Sequence, residues 1–207
     1  MSRTLYKSQQ VIKPGRSLGS ESSENDLQLM QRIGEGDETA FRTLVERYYT
    51  LVFRLCMRYV GSGEDAEELA QDVFIRIHRN AHRYRPKGKL TTYIYRIAVN
   101  LSLNRIRDQK RKRWISLDFL RESKGMEPDA PFRDNPEFQM ELSETQQIVQ
   151  GAIRLLPDNQ RTAVILKRFK GLSYQEIADV MDCSVPAVES LLHRAKLSLT
   201  KKLKNLQ

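Results

Sequence analysis

The chain has 207 residues, 40% aliphatic, aromatic or Cys and 29% charged, with a formal net charge of +9. That is enough apolar material for packed cores, small ones if the chain splits in two. No apolar run approaches the roughly 18–20 residues that span a bilayer and no secretory leader opens the chain, so membrane-spanning and secreted classes are not expected.

Residues 1–25 mix Ser, Gly, Lys and Gln without periodicity and read as a flexible tail. Leu29 and Ile33, four apart, predict a short helix over 26–33 that Gly34 and Gly36 break. Asp37 can cap the next helix. Its apolar positions, Phe41, Leu44, Val45, Tyr48, Val52, Leu55 and Tyr59, recur at three and four up to Gly61. Ser62 opens a third helix with Ala66, Leu69, Ala70, Val73 and Ile77 inward, which leaves Phe74 and Ile75 off the core face. After a loop with Pro86 and Gly88, a helix is expected from about Thr92 to Arg113, burying Ile94, Ile97, Ala98 and Leu101. No segment shows a strand period, so 26–113 is expected to be an all-helical domain.

Residues 114–140 hold Gly125, Pro128, Pro131 and Pro136 and read as a flexible acidic linker with at most one helical turn. Helical spacing returns with Leu142, Ile148, Val149, Ala152 and Leu155. Pro157 marks a boundary, and a further helix runs to Lys170 and stops at Gly171. Ser173 and Glu176 have capping-box spacing. The short helix they open ends near Asp182, and Ser184 can cap a last helix that buries Val188, Leu192, Ala195 and Leu199. Two helices joined by so short a turn form a helix-turn-helix within a second domain, 141–207.

The charge is unevenly placed. Residues 81–113 carry 11 basic side chains and one acidic, and residues 151–207 carry 10 and five. Residues 61–80 carry two basic and five acidic, and residues 114–150 three and eight. Two basic segments on patterned helices are the footprint of a phosphate backbone. In the first, Arg96, Asn100, Asn104, Arg107 and Arg111 follow at four, four, three and four and share one helix face. Amides there can bond exposed base edges while guanidiniums hold phosphates. Tyr84, Tyr93 and Tyr95 lie among Arg83, Arg85, Lys87 and Lys89, and aromatics interleaved with cations suit unstacked single strands. In the second, Glu189, Ser190, His193 and Arg194 fall opposite the core face of a helix suited to a duplex major groove. The acidic helix, with Glu64, Asp65, Glu67, Glu68 and Asp72, reads as a protein-docking face.

No phosphate loop, metalloprotease or nucleophile-elbow motif occurs, so no catalytic residue is expected. Cys56 and Cys183 read as buried, unpaired thiols. Three scattered histidines give no metal-ligand set and no cofactor is implied. A stand-alone helix-turn-helix repressor or activator would explain 141–207 and leave 84–111 idle. A nuclease or recombinase would need a carboxylate cluster, and Asp108 is the one acid in 81–113.

The segments GDETAFRTLVERYY (36–49), EDAEELAQDVFIRIHRN (64–80), LTTYIYRIAVNLSLNRIRDQKRKR (90–113) and LPDNQRTAVILKRFKGLSYQEIADVMDCSVPAVESLLHRAKLSL (156–199) resemble the bacterial RNA polymerase sigma factors. The likeness is to the two-domain extracytoplasmic-function (ECF) group of the sigma-70 family. It implies an all-α chain in which region 2 (26–113) and region 4 (141–207) flank a linker that threads the polymerase cleft and RNA exit path. It implies that Glu68, Gln71, Asp72, Phe74 and Arg76 dock on the clamp helices of the largest polymerase subunit. It assigns the melted −10 element to Tyr84, Arg85, Lys89, Thr92, Tyr93, Arg96, Asn100, Asn104 and Arg107. It assigns the −35 duplex to Ser173, Tyr174, Ala187, Glu189, Ser190, His193, Arg194 and Lys196. Core RNA polymerase (clamp helices and flap), promoter DNA and an anti-sigma factor are the implied partners. The implied place is the bacterial cytoplasm, with an anti-sigma tether to the inner membrane. Tyr93 stands where the family commonly has Trp, and Glu189 where many members have Arg or Lys.

Overall fold

The computed structural model describes residues 22–122 and 144–204, with side chains placed over 26–111 and 148–204. The expected tail, save its last four residues, and the linker core 123–143 lie outside the described residues, as does Leu142. Among the described residues every regular element is helical.

The N-terminal unit comprises α1 (Ser22–Gly34), α2 (Glu38–Val60), α3 (Gly63–Asn80), a 3₁₀ turn (Ala81–Arg83) and α4 (Leu90–Glu122). The start of α2 is capped as its sequence predicts. The Asp37 carboxylate accepts from the backbone N–H of Thr39 at 2.8 Å and of Ala40 at 3.0 Å, and from Arg32 at 2.7 and 2.9 Å. The Ala40 bond, then the Arg32 bond, hold that carboxyl below its ordinary range. Gly61, at φ 73°, ends α2 in the left-handed region. Leu44, Val52 and Leu55 from α2, Leu69, Val73 and Ile77 from α3, and Ile94, Ala98 and Ile106 from α4 form one core.

Four expectations change here. Helix α1 begins at Ser22, so the last four residues of the expected tail are helical; it ends at Gly34 as expected, where a Cβ would lie 3.2 Å from the His82 Cα and 3.3 Å from the Ala81 carbonyl. The glycine lets α1 press on the 3₁₀ turn that leads to Tyr84. Phe74 is buried, at 4% exposure, not off the core face. It lies one turn after Ala70 and stacks on Tyr49 of α2, with ring centroids 6.5 Å apart, so the buried stripe of α3 is wider than the sequence reading; Ile75, at 46%, is exposed as expected. Helix α4 passes Arg113 and continues to Glu122, because the first glycine or proline beyond Arg113 is Gly125. Cys183 is exposed, while Cys56 is buried and burial pushes its thiol up to about 11. Cys183 sits in the turn after Asp182, which is left-handed at φ 53°, and this turn has no core face.

The C-terminal unit comprises α5 (Glu144–Arg154), α6 (Asp158–Lys170), α7 (Tyr174–Met181) and α8 (Val185–Lys204). Gly171 ends α6 in the left-handed region. Ser173 and Glu176 form the expected capping box, with reciprocal bonds of 3.2 and 2.9 Å. Val188 and Ala195 of α8 are fully buried, whereas Leu192 and Leu199 are half-buried.

The two units touch. The Tyr59 hydroxyl donates to the Thr162 hydroxyl at 3.1 Å inside the interface, and the Arg58 guanidinium lies 4.2 Å from the Phe169 ring centre. The Lys170 ammonium donates to the Leu51 carbonyl at 3.3 Å. At the other end α4 packs on α7.

Candidate nucleic-acid interfaces

The stripe of α4 is a continuous exposed face: Arg96, Asn100, Asn104, Arg107 and Arg111 all reach solvent. Its outward aim follows from burial of the opposite positions, Ile94, Ala98 and Ile106. Beside it lies a cleft of about 440 Å³ lined by Arg76, Asn80, Tyr93, Arg96, Ile97, Asn100 and Asn104. A second cleft, about 760 Å³, runs between the 83–89 loop, the start of α4 and α7, and takes in Tyr84, Arg85, Lys89 and Thr92. The half-buried rings of Tyr84 and Tyr93 stand 5.0 Å apart at 53°, and burial raises both phenols. Both stay neutral at physiological pH and offer apolar faces on which a base can stack. Tyr95 is a core residue instead, its phenol pushed up to about 12 by burial.

All nine residues assigned to the single strand border these clefts or extend the stripe, Arg107 by one turn. Asn80 and Arg76 are among the lining residues not assigned there from sequence. Asn80, at the end of α3, donates its amide to the Arg76 carbonyl at 2.7 Å and lines both clefts. Arg76, assigned to the polymerase face, lines the smaller one. Their i, i+4 spacing is visible in the sequence, but only the packing of α3 against α4 aims that face into the cleft.

The acidic helix is partly committed to structure. Arg105 of α4 bridges Asp65 at 2.6 Å and Glu68 at 2.8 Å, and the Gln109 amide donates to Asp65 at 3.2 Å. Gln71 and Asp72 are exposed. Ile75 borders a shallow groove of about 550 Å³ with Phe41, Val45 and His78.

In the helix-turn-helix, Ser173, Tyr174, Glu189, His193, Arg194 and Lys196 are exposed, and Ala187 and Ser190 half-buried. Arg194 donates to the Ser190 hydroxyl at 2.8 and 3.2 Å, which restrains its guanidinium on the outer face of α8. The Lys167 ammonium sits 4.8 Å from the Tyr174 ring centre.

Contacts between the units reach into the α4 site. Lys89 pairs with Glu176 at 2.8 Å, Arg96 donates to the Asp179 carbonyl, and Arg107 faces Asp158 at 3.5 Å. The Lys89 bond is the largest influence holding the Glu176 carboxyl down, to about 2. At the far end, burial pushes the Lys170 ammonium down to about 8, assisted by Arg54 and Arg58 and opposed by Cys56. A base whose pKa falls on docking disfavours docking while it is charged, so contact between the units should tighten as pH rises from 8 toward the ordinary 10.5. Small-angle X-ray scattering across that window should show the radius of gyration falling in the native chain and not in Lys170→Met. Equal behaviour of the two proteins would refute the assignment.

Comparison with known proteins gives a consistent result. Residues 44–112 match the family profile for sigma-70 region 2, and residues 146–199 that for sigma-70 region 4. The RNA polymerase sigma-H factor of Pseudomonas aeruginosa is 34% identical over 187 residues, 89% of this chain and 97% of that protein. The ECF RNA polymerase sigma-E factor of Escherichia coli K12 is 37% identical over 183 residues, 87% of this chain and 95% of that protein. The fold is shared with a sigma factor solved in complex with the anti-sigma factor NepR from Bartonella quintana, at a TM-score of 0.58 and 21% identity, covering 79% of this chain and 96% of that one.

Proposed function

The chain belongs to the ECF group of the sigma-70 family of RNA polymerase sigma factors, and from that premise we propose how its surfaces divide the work. A sigma factor binds core RNA polymerase, directs it to promoters and opens the DNA, and this chain acts under anti-sigma control. The α4 face and the Tyr84–Tyr93 pair hold the non-template strand of the −10 element. Asn100, Asn104 and Asn80 meet base edges, Tyr84 and Tyr93 stack, and Arg85, Lys89, Thr92, Arg96 and Arg107 hold phosphates. The outer face of α8, with Ser173 and Tyr174, reads the −35 duplex. Glu189 either accepts from a cytosine amino group or is oriented away from the backbone, since a carboxylate repels phosphate. Gln71, Asp72 and the exposed edge of Glu68 meet the polymerase clamp, with Phe74 shaping that face from beneath. Residues 123–143 would thread the polymerase channel.

The observation that carries this reading is one chain with two nucleic-acid faces of different kinds. One has amides and aromatic rings at a cleft, suited to separated strands; the other is a groove-sized helix. The mechanism is binding energy directed to strand separation: capture of unstacked bases offsets an unpairing cost of a few kcal/mol. RNA synthesis itself belongs to the polymerase, and no enzymatic step is assigned to this chain. No helix among the described residues is long and apolar enough to cross a membrane. A sigma factor works where its polymerase does, and on that ground we assign the protein to the cytoplasm, recruited to the inner membrane through an anti-sigma partner.

Run-off transcription on genomic fragments, with core polymerase alone as control, tests the reading. Discrete starts that require this protein are expected, with shared upstream sequence at both elements. Tight duplex binding without polymerase, and no dependent starts, would establish a stand-alone regulator instead.

A further inference from the structure

We propose that Arg105 is a positioning residue for polymerase docking. Its guanidinium, on α4, orders the Glu68 carboxylate of α3 so that one oxygen is held inward and the other is presented to a basic group of the polymerase clamp. The proposal rests on the assignment of Glu68 to the polymerase face.

The guanidinium fork serves two carboxylates at once. One terminal nitrogen donates to Asp65 Oδ1 at 2.6 Å and the other to Glu68 Oε2 at 2.8 Å. A planar, pre-organised fork fixes both acids in one geometry, which a lysine ammonium would not do. The two acids differ in what is left over. Asp65 is 27% exposed, and its second oxygen accepts from the Gln109 amide at 3.2 Å. Both of its oxygens are therefore used inside the fold. Glu68 is 62% exposed, and its Oε1 accepts no hydrogen bond among the described residues.

An unrestrained glutamate on a helix surface samples several rotamers, and fixing them on binding costs affinity. Arg105 carries out that ordering before the polymerase arrives. It also sets a cation between two acids three positions apart on α3, whose mutual repulsion would otherwise swing Glu68 away. A pair this exposed is screened by water, so it adds little to the stability of the fold. Its effect emerges when a partner excludes that water and meets a carboxylate already aimed. Asn104, the residue before Arg105, lies on the exposed strand-reading stripe. One turn of α4 thus serves the DNA with one side chain and the polymerase with the next.

The test measures binding of the full chain to core RNA polymerase by the anisotropy of a dye on the exposed Cys183, with urea unfolding and circular dichroism to follow the fold. Arg105→Met, which keeps length and loses charge, should weaken core affinity about two- to tenfold, the range that pre-ordering one flexible side chain supplies. Glu68→Ala should weaken it at least as much, and Arg105→Met with Glu68→Ala no further. Gln109→Ala loosens Asp65 and leaves Glu68 in place, so it should reduce stability without weakening core affinity. Run-off transcription by Arg105→Met should return to the native yield once the chain saturates the polymerase. If Arg105→Met loses helix content, Arg105→Lys takes its place, because an ammonium lacks the fork that reaches both acids. Native affinity in Arg105→Met beside a loss in Glu68→Ala would overturn the proposal alone. Native affinity in both would refute the assignment of Glu68 to the polymerase, and the proposal with it. Losses that multiply in the double variant, or an equal loss in Gln109→Ala, would show that Arg105 acts through the packing of α3 on α4 and overturn the positioning role. A yield that stays low at saturation would place the effect after docking, with the same consequence.

Discussion

Replacing Asp26 with Ala is expected to lower the unfolding free energy of the N-terminal unit by about 2–4 kcal/mol. The carboxylate is 6% exposed and accepts from the Tyr48 hydroxyl at 2.5 Å and from Arg47 at 2.6 Å, tying α1 to α2. Its loss strands a buried phenol, while Arg47, 30% exposed, regains water. In the native chain burial, then the bond to Asp26, raises the Tyr48 phenol far above its ordinary value. Against a typical total of about 5–15 kcal/mol this is a large fraction. Urea unfolding followed by circular dichroism should give a lower midpoint at unchanged slope, with Asp26→Asn between the two. A change under about 0.5 kcal/mol would show that the pair contributes nothing net. The effect should extend to function, because α1 presses through Gly34 on the turn that leads to Tyr84.

The second large effect is expected at the amides of α4. Asn100→Ala in the holoenzyme should lower run-off transcription about ten- to a hundredfold, and Asn100→Ala with Asn104→Ala more than either alone. Lost base contacts are worth about 1–3 kcal/mol each. Both amides are exposed and neither supports the core, so helix content and affinity for core polymerase should not change. A template with a pre-melted −10 bubble should recover most of the activity, since the unpairing cost is already met. Failure of the bubble to rescue would mean that the amides act after opening. Arg111→Ala, by contrast, should weaken binding evenly across sequences and reduce the salt slope by about one.

Much of this architecture is written locally. Helix spacing in α2, the Asp37 and Ser173 caps and the left-handed stops at Gly61 and Gly171 are contacts within a few residues of one another. The α4 stripe is equally local, as a face defined by its own periodicity. The site was therefore legible wherever one helix presents it. It was less legible where two helices share it, as at Arg76 and Asn80, whose face is aimed by the packing of α3 on α4.

What the sequence alone determined is the set of helices, their capped ends, the two basic faces and the family. These follow from periodicity, capping and charge order, which act over one to four residues. What tertiary structure alone decided is which neighbouring stripe is buried and what meets across the chain. Phe74 turns inward because Tyr49 of α2 offers it a ring. Asp65 and Glu68 are drawn from the acidic face because Arg105 lies within reach. Lys89 meets Glu176 across 87 positions and Tyr59 meets Thr162 across 103. No local pattern encodes such pairs, because their energy exists only once helices distant in the chain are brought into contact.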